Sequence, residues 1–149
     1  MTRIYVAGIA MTVFGRHPER SLEDLAGEAL NRALADAGCT APQIGVAYYS
    51  GMTNGTLQGQ ISIPGQVIFS KIGIEGIPVY NVENACASGS SSFNLAAQSL
   101  KAGTADVALA IGAEKMNIPD KAKAFAIFEG GWDVSRAEEN AAALLKMGE

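Results

Sequence analysis

One cysteine is placed where this chain could do chemistry. The stretch from Tyr80 to Leu100 reads YNVENACASGSSSFNLAAQSL, and Cys86 lies where a strand-like run ends and a helix should begin. A thiol at that position meets free backbone N–H groups and the positive end of the helix macrodipole, which favour the thiolate over the thiol. The carboxyl ends of parallel strands are also where open α/β sheets bind ligands. The position therefore predicts a nucleophilic sulfur.

Two interpretations of Cys86 stay open on position alone. The Gly and Ser residues from Ser88 to Ser92 suit the middle of an exposed helix poorly, since a Gly there costs about 1 kcal/mol relative to Ala. They would instead leave room beside the sulfur for a substrate, or for another backbone. An unpaired cysteine is, however, among the most buried residue types and often serves as a small apolar side chain.

Other reactive residue types have weaker contexts. Cys39 follows a helix stop in AGCTAP, and the single histidine, His17, precedes a proline in a loop, so both are expected to be structural. Glu83 and Glu114 each follow a predicted strand, where a general base is conceivable but a solvated or hydrogen-bonded structural acid is expected. Neither cysteine has CxxC spacing or a neighbouring histidine, so no metal site is predicted.

The elements that must position Cys86 alternate between strand and helix. The predicted strands are Arg3–Ala10, Ile44–Ser50, Ile77–Val82 and Asp106–Gly112, and the predicted helices begin at Ser21, Pro64 and Asn84. Ser21 and Asp24 form a capping pair for the first helix and Gly38 ends it. The third helix is expected to be buried nearly all round. Alternation with nearly continuous apolar strands predicts an α/β fold with a parallel sheet covered on both faces.

Composition limits the class of protein. The chain has 149 residues, of which 48% are hydrophobic and 17% charged, as in a compact globular domain. Its net charge of -4 comes without a basic cluster, so no nucleic-acid partner is expected. Short apolar runs and the lack of an export signal predict no membrane partner and a cytoplasmic location. The pattern fades after Met116, so residues 1–116 are predicted to form the α/β domain and residues 117–149 the start of a partly helical loop segment, with a helix from about Ser135 to Met147.

Two long stretches resemble the thiolase superfamily. The segment NVENACASGSSSFNLAAQSLKAGTADVALAIGAEKM resembles the family's nucleophile segment, and its ending GAEKM resembles the sterol-carrier-protein type, also called lipid-transfer thiolases. The stretch MTVFGRHPERSLEDLAGEALNRALADAG resembles the family's first loop and helix, so the likeness runs from about Arg3 to Met116. It implies a thiolase-like layered fold, a mostly parallel sheet flanked by helices, with only the N-terminal half of the usual two-half architecture.

The resemblance implies Claisen-type acyl transfer on coenzyme A thioesters. Cys86 would take the acyl group from an acyl-CoA or 3-ketoacyl-CoA, and its backbone N–H would help to hold the oxyanion. No permanently bound cofactor is implied, because the coenzyme A thioester is the substrate. The resemblance also implies a homodimer formed through this half. The family's activating His and second Cys belong to a C-terminal half, which this chain would need from a partner.

Two other functions stay open. Ketoacyl and hydroxymethylglutaryl synthases resemble thiolases in fold and use a cysteine at the same kind of helix start, so a condensing enzyme of that kind is an alternative. A non-catalytic interaction or scaffold subunit would use the small-residue helix only to pair with a partner. In an enzyme the polar loop Gly51–Gln60 could line the pocket, whereas a solvated loop is the default expectation.

Overall fold

Three parallel strands and five helices make up the regular structure of the computed structural model, which describes residues 3–148. The elements are α1 (Leu22–Ala37), β1 (Val46–Ser50), α2 (Pro64–Lys71), β2 (Val79–Val82), α3 (Ser88–Ala102), β3 (Ala108–Gly112), α4 (Lys121–Ala126) and α5 (Ala137–Met147). They belong to two compact units, one ending at Lys115 and the other beginning at Met116.

The sheet has the strand order β2-β1-β3, and both strand pairs are parallel. All five residues of the central strand β1 are buried. One face of β1 packs Ala47 and Tyr49 against α1 and α2, and the opposite face packs Val46 and Tyr48 against Ala96 of α3. Successive strand side chains point to opposite faces, so a strand covered on both sides is apolar along most of its length. The predicted α/β fold with a parallel sheet flanked by helices is confirmed.

Helix α1 begins and ends at the predicted residues. The Ser21 hydroxyl accepts a hydrogen bond from the Asp24 N–H at 3.1 Å, and the Asp24 carboxylate accepts one from the Ser21 N–H at 2.8 Å. This reciprocal pair satisfies two donors that the first turn would otherwise leave without a partner. Gly38 ends the helix in the left-handed conformation, with φ of 65°.

The prediction of a strand over Arg3–Ala10 is wrong. This segment has no regular structure, and hydrogen bonds at its C-terminal end join it to α1. The Ile9 N–H donates to the Asp36 carboxylate at 2.9 Å, and the Arg32 guanidinium donates to the Met11 carbonyl at 2.9 Å. Gly8 lies so close to α1 that a Cβ there would meet a helix carbonyl at 2.3 Å. The apolar segment Arg3–Ala10 contacts α1 and does not form a strand of the sheet.

The prediction that helix α3 is buried nearly all round is wrong. Only Ser88, Ser92 and Ala96 are buried, at intervals of four residues along one face. Phe93, on another face, has 55% of its surface exposed. The small residues form the contact stripe because they let the helix approach the sheet closely, and the larger apolar side chains stay outside it.

The second unit contains α4, α5 and short 3₁₀ turns. The predicted helix over Ser135–Met147 is confirmed as α5, preceded by a 3₁₀ turn over Val134–Arg136. Helix α4 was not predicted. Its first turn is capped by the Asp120 carboxylate, which accepts a hydrogen bond from the Lys123 N–H at 3.0 Å. None of the helices described here combines the length and hydrophobicity that crossing a bilayer requires.

Candidate functional site

The carboxyl ends of the three strands meet at one edge of the sheet. Ser50 at the end of β1 pairs with Val82 at the end of β2 and with Gly112 at the end of β3. Residue 112 must be glycine for this contact, because a Cβ there would lie 2.5 Å from the Ser50 carbonyl oxygen. Three connections therefore start side by side, and the one after β2 carries Cys86.

Cys86 lies in a short 3₁₀ turn, Ala85–Ala87, that leads directly into α3. The sequence placed it in the first turn of the helix, and the structure places it two residues before α3 begins. The thiol is free and the residue is exposed, which does not fit the interpretation of Cys86 as a buried apolar side chain. Its N–H belongs to the start of a helical run, where backbone donors have no partner within the helix.

The turn before Cys86 has an unusual backbone. Ala85 has φ of 45°, in the left-handed region that non-glycine residues rarely occupy. The Glu83 carboxylate accepts a hydrogen bond from the Ala85 N–H at 2.6 Å, and the Ser88 hydroxyl donates to the Ala85 carbonyl at 2.7 Å. Ser88 also accepts from the Asn84 N–H at 2.8 Å. Both polar groups of Ala85 are thus held by side chains.

Glu114, the second carboxylate singled out in the sequence, also binds backbone. One of its oxygens accepts hydrogen bonds from the Met52 N–H at 2.5 Å and the Thr53 N–H at 3.0 Å, so a side chain two residues after β3 fixes the loop following β1. Glu83 and Glu114 are therefore both hydrogen-bonded structural acids in this structure, which was the expected alternative to a general base.

The loop after β1 was expected to be solvated, but buried side chains anchor it in the protein. Thr53 and Asn54 are 0% and 2% exposed, and Asn54 begins a π-helical turn, Asn54–Gln58. The Asn54 amide donates to the Ala113 carbonyl at 3.3 Å, and the Tyr49 hydroxyl donates to the same carbonyl at 2.9 Å. Sequence reasoning missed these buried polar residues, because a run of Gly, Thr, Asn and Gln is typical of an exposed loop.

Alkaline pH is expected to destabilise the sheet through Tyr49. Burial raises the pKa of Tyr49 to about 12, from an ordinary value near 10. The unfolded chain loses this proton first, so the stabilisation by the neutral phenol is complete below pH 10 and is lost as pH rises through 12. The resulting decrease in the free energy of unfolding should reach about 2 to 3 kcal/mol.

Urea unfolding followed by circular dichroism at pH values from 9 to 12 measures this loss. Tyr49→Phe should remove the part of the pH dependence that comes from this position, whereas Tyr48→Phe, on the other face of β1, should retain it. Identical pH slopes for the wild type and Tyr49→Phe would contradict the assignment.

The remaining candidate residues have local partners. The His17 ring lies 2.8 Å from the Val13 carbonyl, four residues away in its own loop. Cys39 is half-buried, and its thiol donates to the Ala37 carbonyl at 3.6 Å. Both were expected to be structural, and neither has a described contact with Cys86.

Cys86 lines neither of two cavities that the described residues form. A cavity of about 360 Å³ is lined by residues before β1 and β2, among them Ile44 and Glu75, at the edge of the sheet opposite to Cys86. The other, of about 330 Å³, lies between the segment Ile4–Ala10, α1, α3 and β3, and its lining is mostly apolar. The exposed Cys86 thus lies outside both of these cavities.

Comparison with known sequences gives one family. The family model of the thiolase N-terminal domain matches residues 4–146. Sterol carrier protein 2 of Homo sapiens is 37% identical over 120 residues, which cover 78% of this chain and 21% of that protein. Acetyl-CoA acetyltransferase of Methanocaldococcus jannaschii is 36% identical over 116 residues, with 78% and 29% covered. The chain thus spans less than a third of these relatives.

Solved structures share the fold. The 3-oxoacyl-(acyl carrier protein) synthase III of Xanthomonas oryzae has a TM-score of 0.60 and 21% identity, over 85% of this chain and 37% of that one. An OleA variant of Xanthomonas campestris, with bound lauric acid and lauroyl-CoA, has a TM-score of 0.61 and 22% identity over 82% and 35%. At this identity the likeness shows the fold alone.

Proposed function

This chain belongs to the thiolase superfamily, in its sterol-carrier-protein-type branch, and we propose that it is the nucleophile-bearing half of a thiolase-type acyltransferase. The observation that carries the proposal is the place of Cys86. The residue is exposed, it lies at the carboxyl edge of a parallel sheet, and it follows a left-handed Ala85 at the start of a helical run. Ligands of open α/β sheets bind at this edge.

The proposed step is formation of an acyl-enzyme. The Cys86 sulfur attacks the carbonyl carbon of an acyl-CoA thioester, and the carbonyl electrons move to the oxygen. The resulting oxyanion accepts a hydrogen bond from the Cys86 N–H. Collapse of this intermediate breaks the bond to the coenzyme A sulfur, so the acyl group stays on Cys86. Coenzyme A leaves as a thiolate and takes up a proton, which balances the one removed from Cys86. In the direction of synthesis the acyl-enzyme then condenses with a second acyl-CoA. In the direction of degradation the same acyl-enzyme forms when a 3-ketoacyl-CoA is cleaved.

We propose that a second thiolase half completes the site. The thiolase resemblance assigns the histidine that removes the proton from Cys86 to a C-terminal half, and the one histidine of this chain, His17, has its described contact with the Val13 carbonyl in its own loop. The apolar side chain of Phe93 is 55% exposed on α3 and that of Tyr80 is 52% exposed on β2, as expected of surfaces that other subunits or segments cover. The same exposure supports the homodimer implied by the resemblance.

Acyl transfer to the chain tests the proposed function. The chain is incubated with acetyl-CoA, with and without a polypeptide carrying the C-terminal half of a relative, and acylated peptides are mapped by mass spectrometry. We expect an acetyl group on the peptide with Cys86 and none on the peptide with Cys39, most strongly when the second half is present. No adduct on Cys86 with the second half present would favour a non-catalytic interaction subunit.

The choice between a thiolase and a ketoacyl-synthase-like condensing enzyme rests on the curated relatives. Benzoylsuccinyl-CoA thiolase subunit BbsB of Thauera aromatica is 35% identical over 114 residues, a higher identity than that of either solved structure described above. The same experiment separates the two activities, because a thiolase completed by its second half should also release acetyl-CoA from acetoacetyl-CoA. Acylation without that cleavage would favour the condensing enzyme.

A further inference from the structure

The backbone before Cys86 is held in a conformation that alanine disfavours. In the left-handed region the Cβ of an L-residue approaches the following carbonyl oxygen, so Ala85 would leave this conformation if nothing restrained it. Its N–H is restrained by the Glu83 carboxylate at 2.6 Å. Glu83 lies directly after β2 and is exposed, so it adds no packing to the core.

The carbonyl side of Ala85 is restrained as well. The Ser88 hydroxyl donates to the Ala85 carbonyl at 2.7 Å, and Ser88 is only 5% exposed at the start of α3. Because the peptide bond is planar and trans, the direction of the Ala85 carbonyl sets the opposite direction of the Cys86 N–H. Whatever fixes the conformation of Ala85 therefore fixes where that N–H points.

We propose that Glu83 is a positioning residue, which holds Ala85 in the left-handed conformation and so aims the Cys86 N–H at the oxyanion of the thioester. The proposal rests on the proposed function and adds a residue to it. Glu83 does not contact the substrate or remove a proton. Its acceptor oxygen is used by the backbone, so an amide oxygen at the same position should serve nearly as well as a carboxylate.

Two reactions of the same sulfur separate aiming of the N–H from general reactivity. Acylation by acetyl-CoA passes through an oxyanion, whereas alkylation by iodoacetamide is a displacement at carbon without one. We expect Glu83→Ala to slow acylation of Cys86 about tenfold, which corresponds to the preference of alanine for right-handed backbone. Alkylation should change less than about twofold, because it needs the sulfur but not the N–H. Both rates are measured with the second thiolase half present.

Two further variants are the controls. Glu83→Gln keeps an oxygen acceptor without the charge and should restore most of the acylation rate. Glu75→Ala removes one exposed carboxylate at the opposite edge of the sheet and should leave the ratio of acylation to alkylation unchanged. Equal slowing of both reactions in Glu83→Ala, or an unchanged ratio, would overturn the positioning role.

Amide hydrogen exchange of Ala85, followed by NMR in the chain alone, tests the hydrogen bond without any substrate. We expect the Ala85 amide to exchange severalfold faster in Glu83→Ala than in the wild type, Glu83→Gln or Glu75→Ala. Unchanged exchange in Glu83→Ala overturns the proposal. Should the wild type take no acyl group even with the second half, the proposed function fails, and the exchange data still decide whether Glu83 holds the turn.

Discussion

Replacing Cys86 with serine is expected to abolish the acetylated peptide that the wild type forms with acetyl-CoA and a second thiolase half. A serine hydroxyl is almost entirely protonated near neutral pH, whereas a cysteine supplies some thiolate and is intrinsically more nucleophilic. Loss of a nucleophile is among the largest single-residue effects in enzymes, with changes on the order of a millionfold. Peptide mass spectrometry should therefore find no adduct on this segment within the time that labels the wild type.

Cys39→Ser is the matched control for this substitution. Cys39 is half-buried after the end of α1 and donates to a backbone carbonyl, so its loss should leave the adduct on Cys86 intact. Adduct that persists in Cys86→Ser, or disappears in Cys39→Ser, would show that another residue accepts the acyl group. Circular dichroism of both variants establishes that they keep the fold.

Local signals in the sequence predicted most of the helices and strands. The capping pair of α1 lies within four residues, so the sequence contains everything that decides where the helix starts. The turn around Cys86 is local too, and its place at the end of a strand could be predicted without the structure. The predicted strand over Arg3–Ala10 failed because strand pairing depends on distant partners, and here the Ile9 N–H bonds to Asp36 of α1 while the Met11 carbonyl just after the segment accepts from Arg32.

The support around the site could not be predicted, because it joins residues far apart in sequence. Asn54 and Tyr49 reach the Ala113 carbonyl over separations of 59 and 64 residues, and Glu114 reaches Thr53 over 61. Nothing in the local composition of the loop distinguishes such residues from solvated ones. Exposure of the larger side chains of α3 was missed for the same reason, since it depends on which stripe of the helix meets the sheet.

Phe69→Ala is expected to cost about 3 to 5 kcal/mol of unfolding free energy. Phe69 of α2 is 0% exposed, and its ring meets the Tyr49 ring edge to face, with centroids 6.0 Å apart. Removing it deletes buried apolar area and leaves a cavity between α2 and β1. The loss is a large fraction of the 5 to 15 kcal/mol typical of a domain. Urea unfolding monitored by circular dichroism should show a much lower midpoint with an unchanged slope.

The effect of Phe69 should reach the functional edge, because the Tyr49 ring that it supports also holds the loop after β1 through the Ala113 carbonyl. Phe69→Leu, which retains most of the volume, should cost less than about 1.5 kcal/mol. Phe14→Ala removes a ring that is 88% exposed and should change stability by less than about 0.5 kcal/mol. Equal costs for Phe69→Ala and Phe14→Ala would contradict the packing of α2 on β1. If the packing is as described, amide exchange in the loop from Gly51 should accelerate in Phe69→Ala and not in Phe14→Ala.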